Sequence, residues 1–158
     1  MNMFVNFHKI HSLCLISLLI CLLLASFSFS EPQAQAATWY NASWTYRVLL
    51  TINNAEVDAD LTDFPVYVAL SDLPAGFHTN VKSDGSDIRV TTDDGETEVP
   101  REVVFYNAGT DTGELHFKAP ALSNGSDTEF YIYYGNAGAS DHATNGTYGA
   151  ENVWTNGY

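Results

Sequence analysis

Phe130-Tyr131-Ile132-Tyr133-Tyr134-Gly135-Asn136 alternates aromatic and β-branched residues, then stops on a Gly-Asn pair. Such residues suit a pleated, half-buried surface, and Gly-Asn is turn chemistry. The stretch reads as a late strand of an all-β domain, with Phe130, Ile132 and Tyr134 on one face and Tyr131 and Tyr133 on the other.

The same period of two recurs upstream. Tyr46, Val48, Leu50 and Ile52 share a face of the run from Trp44 to Ile52. Phe64, Val66, Val68 and Leu70 do so in the next run, and Ile88 with Val90 carry a third. A fourth run sets Val103 and Phe105 against Val104 and Tyr106; a fifth sets Leu115 and Phe117 against Glu114, His116 and Lys118. No apolar stripe at helical spacing follows residue 36.

Turn chemistry fills the gaps. Asp93-Asp94-Gly95 separates Ile88–Thr92 from Glu96–Val99 in a hairpin pattern. Asn107–Gly113 and Ser123–Asp127 also read as connections. Ser71–Ser86 is long for a plain loop and calls for a short element or a function of its own. Pro65 and Pro100 lack an N–H and belong at strand starts, edges or bulges. Short strands with regular turns predict an antiparallel two-sheet β-sandwich, jelly-roll or immunoglobulin-like, with a small barrel as the alternative.

The N-terminus carries different information. Met1–Ser12 holds one lysine and no acid, Leu13–Phe29 is apolar, and Ala34-Gln35-Ala36 has the small-x-small form of a signal-peptidase site. A bilayer-crossing helix needs about 20 apolar residues, and this core is shorter, which favours a cleaved signal over an anchor. Cys21 lies inside the apolar core rather than after small residues, which disfavours a lipoprotein. The expected organisation is a signal peptide at 1–36, a sandwich at 37–136, and a Gly/Ala/Asn-rich connector at 137–158. Cys14 and Cys21 fall within the signal, so the remainder has neither disulfide nor thiol chemistry.

Past Ala36 the chain keeps five basic residues (Arg47, Lys82, Arg89, Arg101, Lys118) and eighteen of its nineteen acids. Such a surface repels nucleic acid and anionic bilayers, so neither is an expected partner. The sequence predicts a secreted or cell-surface location, with no membrane insertion once the signal is removed.

Several landmarks in order resemble a bacterial and archaeal extracellular family, domain of unknown function 2341. They are Trp44-Thr45-Tyr46-Arg47, Leu61-Thr62-Asp63-Phe64-Pro65-Val66, Ser86-Asp87-Ile88-Arg89-Val90 with Asp93-Asp94-Gly95, and Tyr133-Tyr134-Gly135-Asn136. The resemblance implies an exported β-rich module of multidomain proteins. It also implies that Val153-Trp154-Thr155-Asn156-Gly157-Tyr158 leads toward a concanavalin-like lectin or laminin-G-like domain, so the chain reads as an N-terminal fragment. His116 stands near where the resemblance leads one to expect tryptophan. The family has no agreed catalytic residues to carry over.

Three chemistries fit the residue types present. Aromatic faces stack on sugar rings while polar neighbours fix the hydroxyls. Trp44, Tyr67, Tyr131 and Tyr133 are the ligand-binding candidates, with Trp39, Tyr40 and Tyr106 behind them; the structural alternative is cross-strand packing. Calcium takes several oxygen ligands, and Asp84, Asp87, Asp93 and Asp94 are the candidates, although Asp and Gly are also ordinary turn residues. A third cluster, Asp58, Asp60 and Asp63, has the same ambiguity. Hydrolysis has least support: His78, His116 and His142 lack metal spacing, and no Gly-x-Ser-x-Gly elbow occurs. Sequons at Asn41, Asn124 and Asn145 carry little weight, and Arg47 and Arg89 are expected to pair with carboxylates. The resulting expectation is a non-catalytic module for adhesion or carbohydrate recognition, beside a lectin-like domain. The alternative is a structural spacer without a ligand, and a distant third is part of a polysaccharide-degrading enzyme.

Overall fold

A computed structural model describes residues 38–155. The signal peptide expected at 1–36, with both cysteines, and the last three residues of the aromatic tail lie outside the described residues. Within that range the chain is an all-β sandwich. Six strands form two three-stranded antiparallel sheets: β1 (Tyr46–Ile52), β6 (Thr128–Tyr134) and β3 (Arg89–Thr92) in one, and β2 (Leu61–Ala69), β5 (Thr112–Leu122) and β4 (Arg101–Asn107) in the other.

Alternation sets the register. β1 pairs with β6 from Tyr46↔Tyr134 to Ile52↔Thr128, and β3 pairs with the far side of β6 at Val90↔Ile132. Phe130, Ile132 and Val90 therefore project from one sheet toward Val68, Leu115 and Phe117 of the other, and all six are buried in one core. The Phe117 and Phe130 rings meet at 4.8 Å across the interface. Each such side chain contributes about 1.5–3 kcal/mol through removal from water. This core, rather than a disulfide, holds the layers together.

The Asp93-Asp94-Gly95 hairpin forms as expected. Thr92 N–H donates to Thr97 O (3.0 Å) and Val99 N–H to Val90 O (2.9 Å), and the return arm joins β3 through a bridge between Thr91 and Glu98. Gly95 has φ +75, and a Cβ there would lie 2.0 Å from Thr38 O, so only glycine allows the N-terminal segment to cross the hairpin tip. Gly135 ends β6 in the same way: at φ +84 its missing side chain leaves room for the Tyr46 ring.

Two expectations change. In β4 the reading of Val103 and Phe105 as one face fails, because a bulge between them shifts the register. The extra residue turns Phe105 outward with Val104 and brings Tyr106 to the core side with Val103. The long Ser71–Ser86 connection contains a six-residue helix, α1 (Ala75–Asn80), whose Phe77 is fully buried. With Phe77 its only buried residue, α1 is too short to show a helical period.

The segment after Asn136 lies along the sandwich. Ala139 and Val153 are buried, and Tyr148 O accepts from the Arg101 N–H at 3.1 Å. It belongs to the same compact unit as the strands.

Candidate functional site

The sheets have two outer faces, and the aromatic candidates divide between them. On the outer face of β1–β6–β3 the register sets Arg47 beside Tyr133, with Tyr131 two residues along the same face. The segment Thr38–Trp44 folds over these side chains. Trp39 packs edge-on to Tyr133 at 5.3 Å, and Tyr40 contacts Trp44 at 5.2 Å. Arg47 lies over the Tyr131 ring at 4.2 Å and the Trp39 ring at 4.8 Å, and it donates to Thr38 O and Tyr133 Oη. Tyr133 Oη lies 3.0 Å from Gly95 O, to which it donates. The Trp44 indole N–H donates to Asp87 O, and the Arg89 guanidinium sits 5.3 Å from its ring. Trp44 and Tyr133 are buried and Tyr131 is half-buried. Two of the four expected ligand contacts, Trp44 and Tyr133, are thus buried in the protein itself, and Arg47 covers a face of a third, Tyr131.

Beneath this layer lies a charged network. Arg89 Nε is 3.4 Å from Glu98 Oε1, and its terminal nitrogens donate to Ser86 O, Ile88 O and Ser140 O. Glu98 also accepts from Tyr40 Oη (2.6 Å) and lies 2.7 Å from His142 Nε2. Arg101 donates to Ile88 O and pairs with Asp141 at 2.6 Å. Burial raises the Tyr40 hydroxyl pKa well above the ordinary value, and the hydrogen bond to Glu98 adds to it. Burial likewise lowers the Arg89 pKa, with Arg101 nearby acting in the same direction. The expectation that Arg89 pairs with a carboxylate holds. Arg47 lies over the Trp39 and Tyr131 rings.

Three of the four acids expected to offer calcium ligands, Asp84, Asp87 and Asp94, hold the backbone. Asp87 is fully buried and accepts from the N–H groups of Lys82, Gly135 and Asn136, tying α1 to the end of β6. Asp84 accepts from Ser86 N–H. Asp94 is exposed and accepts from Glu96 N–H, Thr97 N–H and the hydroxyls of Thr92 and Thr97. Burial opposes the Asp94 charge, but these donors win and bring its pKa down to about 2. Asp93 is exposed at the hairpin tip. Among the described residues no group of three His, Cys, Asp or Glu side chains is placed to hold a metal ion.

The outer face of β2–β5–β4 is different. Tyr67 pairs with His116, and His116 pairs with Glu102, so the three form a row across the sheet. Tyr67 is 57% exposed and its ring lies 5.4 Å from the imidazole. Trp154 returns from the C-terminal segment onto this row, 5.0 Å from His116, with its indole N–H donating to Glu102 Oε2 at 2.7 Å. It remains 40% exposed. Glu114 Oε1 lies 2.7 Å from His116 Nε2, and Lys118 Nζ donates to Thr155 Oγ1 at 3.1 Å. The result is an aromatic strip, Tyr67–His116–Trp154, with carboxylates and an ammonium beside it. Such a strip presents apolar ring faces next to hydrogen-bonding groups.

Of the expected ligand contacts, only Tyr67 belongs to this strip. His116 and Trp154 were not among them. The outward alternation of His116 against Leu115 and Phe117 was a signal for the first. For Trp154 the signal was no more than an aromatic at the end of a stretch read as a connector. Their meeting depends on a strand register and a chain return that no local pattern encodes.

No curated protein and no solved structure matches this chain. A family model does match, over residues 84–150. That range includes Arg89, Glu98, Arg101 and the Ser140–His142 segment, that is, most of the buried charged network, together with the hairpin and the Tyr133–Asn136 strand end. The landmarks around Trp44 and Leu61 lie before it. Residues 84–150 of this chain match the family model of DUF2341, a domain of unknown function.

Proposed function

We propose that this chain is an exported, non-catalytic β-sandwich module of a secreted or cell-surface protein, and that it recognises carbohydrate through the outer face of β2–β5–β4. The observation that carries the reading is the exposed Tyr67–His116–Trp154 strip flanked by Glu102, Glu114 and Lys118. Sugar rings stack on aromatic faces, carboxylates accept from their hydroxyls, and an ammonium donates to them. The formal charge of −13 argues against anionic glycans and favours neutral ones. Export rests on the apolar segment and the Ala34-Gln35-Ala36 pattern. The test is a glycan array probed with the chain from Ala37 onward, beside Tyr67→Ala and Trp154→Ala. Binding to neutral glycans that drops about tenfold or more in each variant, as loss of one stacked ring implies, supports the proposal. A silent array, or binding indifferent to both substitutions, refutes it.

A second reading, a spacer with no ligand, draws on the burial of Trp44 and Tyr133, which are spent on packing. It predicts the silent array.

A further inference from the structure

Four strand edges bound the two sheets, and three are closed or interrupted. The β3 edge is covered by the hairpin return through Thr97–Val99. The β4 edge carries the Val103/Phe105 bulge, and Arg101 N–H is taken by Tyr148 O. In β2, Asp63 adopts φ 50 and Pro65 has no N–H, so the strand is neither straight nor a complete donor. These are the devices by which sheets avoid unwanted pairing.

β1 has none of them. Its seven residues pair with β6 without a register shift, and it contains no proline, glycine or acid. Among the described residues no strand pairs with its outer edge. Its one charge, Arg47, is folded back over the sheet onto Tyr131 and Trp39. The edge opens on an apolar groove of about 660 Å³ between the sheets, where Val48, Leu50 and Ile52 face Val66 and Leu73. The three β1 side chains are only half-buried, although they point toward the core. The charged residues lining the groove, Glu56 and Asp72, are both acidic and exposed.

We propose that β1 receives an added β-strand from a partner protein. The partner is an extended segment whose alternate apolar side chains enter the groove and whose ends carry lysine or arginine facing Glu56 and Asp72. Backbone hydrogen bonds to a free edge supply attachment, and pockets for alternate side chains supply selection. The charges choose the partner: a second copy of this chain would bring the same two acids against themselves, whereas basic ends complement them.

The probe is a capped peptide, Lys-Val-Thr-Val-Thr-Val-Lys, compared with a twin in which both lysines are glutamate. The lysine peptide should slow amide hydrogen exchange across Val48–Ile52. It should bind about tenfold more tightly than its twin at low ionic strength, with the gap narrowing as salt screens it. The double variant Glu56→Gln/Asp72→Asn changes only exposed side chains and should erase the preference while leaving the fold intact. Unchanged exchange in β1, or equal affinity for the two peptides, overturns the proposal. So does a concentration-dependent dimer that protects β1 in the protein alone, since that outcome assigns the edge to a second copy.

Discussion

The two outer faces of this sandwich carry similar residues and put them to opposite uses. Over β1–β6–β3, Trp39, Tyr40, Trp44, Tyr131 and Tyr133 are layered with two arginines beneath the Thr38–Trp44 segment and the Ala139–His142 segment. Over β2–β5–β4, Tyr67 and Trp154 lie open with a histidine between them. Aromatic content does not separate a binding face from a second core. What separates them is whether another part of the chain crosses the sheet and buries the rings.

The sharpest way to break this contrast is truncation on each side. Trp44→Ala removes a buried indole and its bond to Asp87 O, and should cost about 3–5 kcal/mol in chemical denaturation. Tyr67→Ala, on the open face, should change stability by no more than about 0.5 kcal/mol. Equal costs would mean that the second face is as structural as the first. Tyr133→Phe is a finer probe. It deletes only the hydroxyl that bonds Arg47 and Gly95, and the loss should be about 1–3 kcal/mol, read from the same denaturation curves. A neutral result would show that the N-terminal segment is held by ring packing alone.

The smallest effect concerns the hairpin that the segment crosses. The Asp94 pKa lies at about 2 in the folded chain against an ordinary 3.8. Its contribution to stability is therefore complete above about pH 4 and is lost as pH falls through 2. The group is exposed, so the change should be slight. NMR titration of the side-chain carboxyl gives the value directly; a midpoint near 4 would mean that the Thr92 and Thr97 bonds do not persist in solution.

Much of the layer structure was legible in the residues. Phe130, Ile132 and Tyr134 face the core because a strand has a period of two, and Val66, Val68, Leu115 and Phe117 obey the same rule. The rule failed at Phe105, where one bulged residue reverses the faces, and bulges have no strong local signature. It also could not say what lies over an outward residue. Tyr131, Tyr133 and Tyr67 are equivalent in alternation; their fates differ because Thr38–Trp44 returns over the first pair and only Trp154 approaches the third. Asp87 illustrates the same gap. In sequence it is a turn acid with affinity for cations, and in the fold it is a buried acceptor of three backbone donors.

Two guanidinium groups, from Arg89 and Arg101, converge on the carbonyl of Ile88. Among their further partners, Ser140 O and the Asp141 carboxylate come from late in the chain. A ribosome delivers residues in order, so for a time both cations exist without those counterparts. The sandwich then cannot close dry around them, and its final locking must wait until the stretch near residue 141 has emerged. Assembly is thereby timed by arrival of the tail, and a polypeptide that ends at Asn136 would possess all six described strands yet remain unsealed.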